Sequence, residues 1–269
     1  MTRPLLATML LAAAVTATAQ SNAPSTASST NQPAQGPVYR LAVYGDKGAP
    51  GHVNFPPLLK NVPDIQVEVV NGQQIRDGIL DNFDLVLLPG GSGRDQGNSM
   101  GPEGVQKLKD FVASGKGYIG ICAGAYVPMQ QEFMNAKTKD PRWRRGKAML
   151  EIEFSEAGLK LFGEKYKGIQ TIKYANGPIM DVNISSNQPP VEVLAWFRTE
   201  VANPPSPEGI QVNSPAIVMT TYGKGTMLVI SPHPESTPAL RGLMVEIIRF
   251  VAQKSRGQAP VEFPREKQP

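Results

Sequence analysis

The chain has 269 residues, a formal charge of +4 and an ordinary soluble composition, 41% hydrophobic and 19% charged. That is enough chain for a sizeable buried core. The charge is modest and scattered, apart from "KTKDPRWRR" (137–145), so a dedicated nucleic-acid binder is not expected.

The N-terminus reads as a secretory signal over residues 1–19. Arg3 is followed by the apolar run "LLATMLLAAAV" (5–15), and "ATA" (17–19) supplies small residues before a cleavage point after Ala19. The run is too short to span a bilayer comfortably. The expected location is periplasmic or secreted, with no membrane attachment after cleavage. Residues 20–37 are Ser, Thr, Ala, Pro, Gln and Asn without apolar periodicity, as in a disordered linker. Residues 38–255 fit one α/β domain, and 256–269 read as a flexible tail.

"YRLAVYG" (39–45) reads as a first strand and "DKGAPGHVNFPP" (46–57) as a loop leading into a short helix. "IQVEVVNG" (65–72) is a second strand, "GQQIRDGILDNF" (72–83) a helix or turn, and "DLVLLPGG" (84–91) a doubly buried strand. "GGSGRDQGNSMG" (90–101) reads as a glycine-rich loop. Val105, Leu108, Phe111 and Val112 then recur at helical spacing up to a Gly115 cap. "GYIGIC" (117–122) is the next buried strand. The middle third, "AMLEIEFSEAG", "GIQTIKYANGP" and "VEVLAWFRTEV", is strand-like and suggests an antiparallel extension. "AIVMTTYGKGTMLVISPHPE" (216–235) reads as a hairpin bent at 223–225. "STPALRGLMVEIIRFVAQKS" (236–255) reads as a helix capped by Ser236 or Thr237, with Pro238 near its start. Strand and helix alternate, so the expected fold is a three-layer α/β sandwich with a mainly parallel central sheet.

Cys122 is the one cysteine in the chain. For an exported protein a lone cysteine is either a reactive thiol or an inert buried residue. Its surroundings, "GICAGAY" (120–126), end a strand and enter a helix at Ala123. A nucleophile on such an elbow is strained, and the positions two before and two after it must be small. Gly120 and Gly124 meet that demand. The helix start favours a thiolate, and the Ala123 N–H is one candidate oxyanion donor. Gly90 or Gly91 in "LPGGSG" (88–93) offers the second, at the end of a central strand. His52 and His233 are the two histidines. His233 lies in "SPHPE" (231–235), where an extended segment would turn His233 and Glu235 to the same side, so that Glu235 orients the ring. His52 and Asn54 either line the pocket or sit on the surface, and Tyr44 and Gly45, at the end of the first strand, are expected to border it. Asn176 is a turn residue or a ligand contact. No phosphate loop or metal-ligand cluster is present, and no cofactor is expected. The basic segment within 133–148 reads as a solvated insertion on the site's rim.

"LPGG", "GICAGAY" and "SPHPE", in this order, resemble the class I glutamine amidotransferase-like superfamily. "GICAGAY" and "YANGP" (174–178) are most similar to the N-terminal domain family of biotin–protein ligases. The resemblance implies a flavodoxin-like sheet over most of residues 38–255, a Cys122–His233–Glu235 triad and an oxyanion hole from Gly90 or Gly91 with Ala123. Glutaminases of the superfamily usually carry a substrate-binding Gln where this chain has Tyr126, so the resemblance does not extend to glutamine specificity, and a small-molecule or peptide amide substrate is expected. The functional expectation is a Cys-dependent amidase or hydrolase. The alternative is a non-catalytic ligand-binding domain that keeps the elbow. Oligomeric state is not legible.

Overall fold

The computed structural model describes residues 37–140 and 144–258. The expected signal, nearly all of the linker, Trp143 and residues 259–269 lie outside the described residues. In chain order the elements are β1 (Tyr39–Tyr44), α1 (Phe55–Leu59), β2 (Ile65–Val70), α2 (Gly72–Arg76), β3 (Leu85–Leu88), α3 (Gly93–Ala113), β4 (Gly117–Ile121) and α4 (Ala123–Gln130). They continue as β5 (Ala136–Thr138), β6 (Lys147–Phe154), α5 (Glu156–Phe162), β7 (Ile169–Ala175), β8 (Met180–Val182), β9 (Glu192–Phe197), β10 (Pro215–Tyr222), β11 (Gly225–Ile230) and α6 (Arg241–Ser255).

Among the described residues nine strands form one sheet, ordered β2-β1-β3-β4-β11-β10-β9-β6-β7. The first five are parallel. The remaining joins are antiparallel and form the extension. The fold is therefore a flavodoxin-like sandwich, as the alternation of elements implies.

The central strands are apolar throughout because both faces are covered. In β1, Leu41 and Val43 enter one core while Ala42 and Tyr44 enter the other. β3 divides Leu85 and Leu87 from Val86 and Leu88 in the same way. Phe55 of α1, Phe162 of α5 and the Leu243–Ile247–Val251 stripe of α6 cover the first face. Ile75 of α2, Leu108 of α3 and Val127 of α4 cover the second. In the extension, β6 buries Leu150, Ile152 and Phe154 but exposes Met149 and Glu151, so one face is wet.

Three local expectations are corrected. The glycine-rich stretch 90–101 is helical from Gly93 onward, because Ser92 caps it by accepting the Asp95 N–H at 3.3 Å. Its glycines serve close packing: a Cβ on Gly93 would stand 2.8 Å from the Ala123 carbonyl oxygen of α4. Gly101, at φ 66°, breaks α3 before Pro102, and Arg76 caps the freed Ser99 and Met100 carbonyls at 2.9 and 2.7 Å. At the C-terminus, Ser236, Thr237 and Pro238 do not cap α6, which starts at Arg241 after two 3-10 turns. Thr237 instead donates to the His233 carbonyl at 2.8 Å and accepts the Lys173 N–H at 3.0 Å. The tail does not come loose at residue 256: Arg256 grips Asp84 at 2.6 and 3.0 Å, and Tyr39 donates to Gln258 at 3.1 Å.

Candidate active site

β3, β4 and β11 are neighbours in the sheet, so their carboxyl ends open side by side. Gly90, Cys122 and His233 follow those three ends in turn. Cys122 sits at φ 53° and ψ −101°, outside the regions that L-residues populate freely, between β4 and α4. Its N–H is held by the Ile230 carbonyl at 2.8 Å. The flanking glycines are dictated by close approach. A Cβ on Gly124 would lie 1.9 Å from the Leu88 carbonyl oxygen, and one on Gly120 would lie 2.4 Å from the Gly124 carbonyl oxygen. No side chain fits either position without moving backbone.

The imidazole of His233 is buried, and its Nδ1 lies 2.8 Å from Glu235 Oε1. The expected extended segment is not what joins them. Pro234–Ser236 is a 3-10 turn, and the turn itself folds Glu235 back under the ring. The segment is fixed by the His233 N–H bond to the Lys173 carbonyl at 2.8 Å. Burial by itself lowers the His233 pKa, but the Cys122 sulfur and the Glu235 carboxylate beside the ring outweigh it and raise the pKa to about 10. No well-aligned hydrogen bond joins the Cys122 thiol to the ring. The thiol points to the Ala175 carbonyl at 3.2 Å, and His233 Nε2 is buried without a partner.

Gly91 and Ala123, which carry the candidate backbone donors, line the same cavity as Cys122. The Gly90 carbonyl accepts the Gly51 N–H at 3.1 Å, so the trans peptide turns the Gly91 N–H the opposite way. The Cys122 carbonyl accepts the Ala125 N–H along α4, which leaves the Ala123 N–H facing outward from the helix start. Gly90 packs against the histidine: a Cβ there would be 2.9 Å from His233 Cε1 and 3.7 Å from Cys122 Cβ. Cys122, Ala123, Gly91, Tyr126 and His233 all line one cavity of about 590 Å³. The Tyr126 hydroxyl donates to the Asn176 carbonyl at 3.1 Å, and burial first, then the nearby Cys122 and Asp140, push its pKa up.

The remaining candidates separate. His52 bonds the Ala49 carbonyl at 2.8 Å and does not line the cavity, and Tyr44 is fully buried in the core beyond it. Asn176 does line it, at φ 58°, exchanging bonds with Gly146 at 2.8 and 3.0 Å. Ser92, Arg94, Asp95, Gln130, Thr138, Lys147 and Ala175 line it too and were not singled out from sequence. The helical period of 90–101, taken for a loop, was the one available signal for Arg94 and Asp95. The insertion is not simply solvated: Arg145 is 2% exposed and bonds Asp140 at 3.0 Å and the Pro207 carbonyl at 3.1 Å.

Residues 62–140 match the family model described as "Biotin-protein ligase, N terminal". The match takes in Gly90, Gly91 and Cys122 but stops before His233 and Glu235. No curated protein matches. Among solved structures, PurLQS from Thermotoga maritima is similar with a TM-score of 0.56 at 15% identity, over 78% of this chain and 98% of that one. A putative ThuA-like protein from Bacteroides uniformis is similar with a TM-score of 0.59 at 14% identity, over 84% of this chain and 96% of that one. The chain has a glutamine amidotransferase-like fold and, over residues 62–140, resembles the N-terminal domain of biotin–protein ligases.

Proposed function

We propose that the protein is an exported cysteine amidase or hydrolase acting on a carboxamide or γ-glutamyl-type C–N bond. The observation that carries this is Cys122, strained on an elbow, in the same cavity as a buried imidazole that Glu235 holds at 2.8 Å. The raised His233 pKa favours an imidazolium beside the sulfur at neutral pH. In the reaction the Cys122 thiolate attacks the acyl carbon. The oxyanion is held by the Ala123 and Gly91 N–H groups. His233 gives its proton to the departing amine, and the C–N bond breaks to leave a thioester. Water, deprotonated by His233, then attacks the thioester. Its C–S bond breaks and the carboxylate leaves. Glu235 orients the ring and stabilises its charge. The secretory-signal pattern in the sequence of residues 1–19 supports an activity in the periplasm or outside the cell.

One observation favours a second reading, a ligand-binding domain without turnover. The thiol is directed to the Ala175 carbonyl rather than to His233 Nε2. The test is iodoacetamide labelling at neutral pH together with turnover of chromogenic amides, on wild type, Cys122→Ala and His233→Ala. Fast labelling that slows in His233→Ala, with turnover lost in both variants, supports the hydrolase. Labelling at the rate of a free thiol, unchanged in His233→Ala, leaves the binding domain.

A further inference from the structure

Gln96, near the start of α3, is polar and fully buried. Its side-chain Nε2 donates twice, to the Pro89 carbonyl at 2.8 Å and to the Gly48 carbonyl at 3.0 Å. Its Oε1 is buried without a partner among the described residues. The reverse amide orientation would set Oε1 against two carbonyl oxygens, so the nitrogen must be the atom that faces them. The side chain thus spends both amide protons and leaves its acceptor unmet, a cost that an apolar side chain of the same length would not carry.

Both acceptors belong to the backbone around the candidate oxyanion donors. The Pro89 carbonyl also accepts the Gly124 N–H of α4 at 3.2 Å, and the Gly48 carbonyl also accepts the Ser92 N–H at 2.8 Å. Gly48 lies three residues before Gly51, whose N–H holds the Gly90 carbonyl at 3.1 Å. A Cβ on Gly91 would stand 2.2 Å from the Gly48 oxygen, so these two backbone segments are in contact. One amide therefore ties the segment that turns the Gly91 N–H to the strand end that supports the start of α4, where the Ala123 N–H lies. Gln96 itself does not line the cavity.

From this we infer that Gln96 is a positioning residue. It touches no substrate, and it fixes the separation of the Gly91 and Ala123 N–H groups that hold the oxyanion. The inference rests on the hydrolase reading for those two donors, but it can be read separately, through an adduct that forms without turnover. When Cys122 adds to an aldehyde, a C–S bond forms, the C=O π pair moves to oxygen and the thiol proton passes to His233. The adduct then presents an oxyanion to the same donors.

The probes are valeraldehyde, which can add to the sulfur, and valeramide, which matches it in chain length. Protection of Cys122 from iodoacetamide is measured for both, on wild type and Gln96→Met. In that variant the Pro89 and Gly48 carbonyls keep their backbone donors, so the urea midpoint should move little. Valeraldehyde protection should weaken about 30-fold while valeramide protection stays unchanged, and kcat for valeryl-p-nitroanilide should fall by a similar factor at constant KM. Gln96→Glu is the second variant. Burial raises its carboxyl pKa, and the protonated acid donates one bond where the carboxylate donates none. Its adduct, taken relative to wild type, should recover as the pH falls, which a packing role would not produce. Equal aldehyde protection in wild type and Gln96→Met, equal weakening of both probes, a Gln96→Glu ratio that ignores pH, or no aldehyde adduct in wild type overturns the positioning role. A weakened adduct with no nitroaniline release by wild type retains it and removes the hydrolase. Turnover that Gln96→Met leaves at full kcat, with an unweakened adduct, does the reverse.

Discussion

The Cys122 sulfur lies 3.2 Å from the carbonyl oxygen of Ala175, at the end of β7. β7 is the far edge of the sheet, with β10, β9 and β6 between it and β11. Irregular register between β10 and β9, at Pro215, Ile217 and Val218, marks where the extension bends. The curled edge is anchored by the Lys173 carbonyl to the His233 N–H at 2.8 Å. Cys122 and His233 are thus both braced by a strand remote in sheet order.

The histidine gives a pH test. His233 binds its proton more tightly when folded, with a pKa of about 10, than its ordinary value of 6.5 allows when unfolded. Its stabilisation is therefore whole below about pH 6.5 and is lost as the pH rises towards 10. Glu235→Gln removes one of the two groups that raise the pKa. The Tm difference between wild type and Glu235→Gln, followed by circular dichroism from pH 6.5 to 10, should narrow as the pH rises. A constant difference would mean that Glu235 acts by packing alone.

The elbow glycines predict a contrast in stability. Gly124→Ala places a methyl 1.9 Å from the Leu88 carbonyl oxygen and should cost about 3 kcal/mol or more. Gly242→Ala, near the start of α6, meets nothing within 4 Å and should stabilise by about 0.5 kcal/mol. Urea unfolding of the two variants measures both signs.

Gly90→Ala separates chemistry from folding. The added methyl would press on His233 Cε1 at 2.9 Å and displace the ring. Under the hydrolase reading, amide turnover should fall about 100-fold while the urea midpoint moves little. A variant that keeps full turnover would show that the ring position is not critical.

The buried pair of Arg145 and Asp140 predicts a different loss. Arg145→Met leaves the Asp140 carboxylate, its side chain 1% exposed, without its guanidinium, and should cost about 3 kcal/mol. Asp140→Leu added to Arg145→Met should recover part of that loss, read by urea unfolding. If the double variant is no more stable than the single one, Asp140 is held by other groups.

Much of this protein was legible in the sequence because the signals are local. Continuous apolar runs marked the buried parallel strands, strand-like runs separated by turn residues in the middle third marked the antiparallel extension, and Gly120 and Gly124 around Cys122 marked an elbow whose backbone has no room for side chains. The pairing of His233 with Glu235 was also reached from two residues' separation, though through a turn rather than the extended segment assumed. Helix α3 was masked at its start because its glycines, needed for packing on α4, look like those of a loop. What the sequence could not supply is long-range: Ala175 and Asn176 against Cys122 and Tyr126, Lys147 facing the same cavity as Arg94, and the burial of Arg145. Those follow from how far the sheet extension curls, a summed property of twist and register over four strands that no single segment encodes.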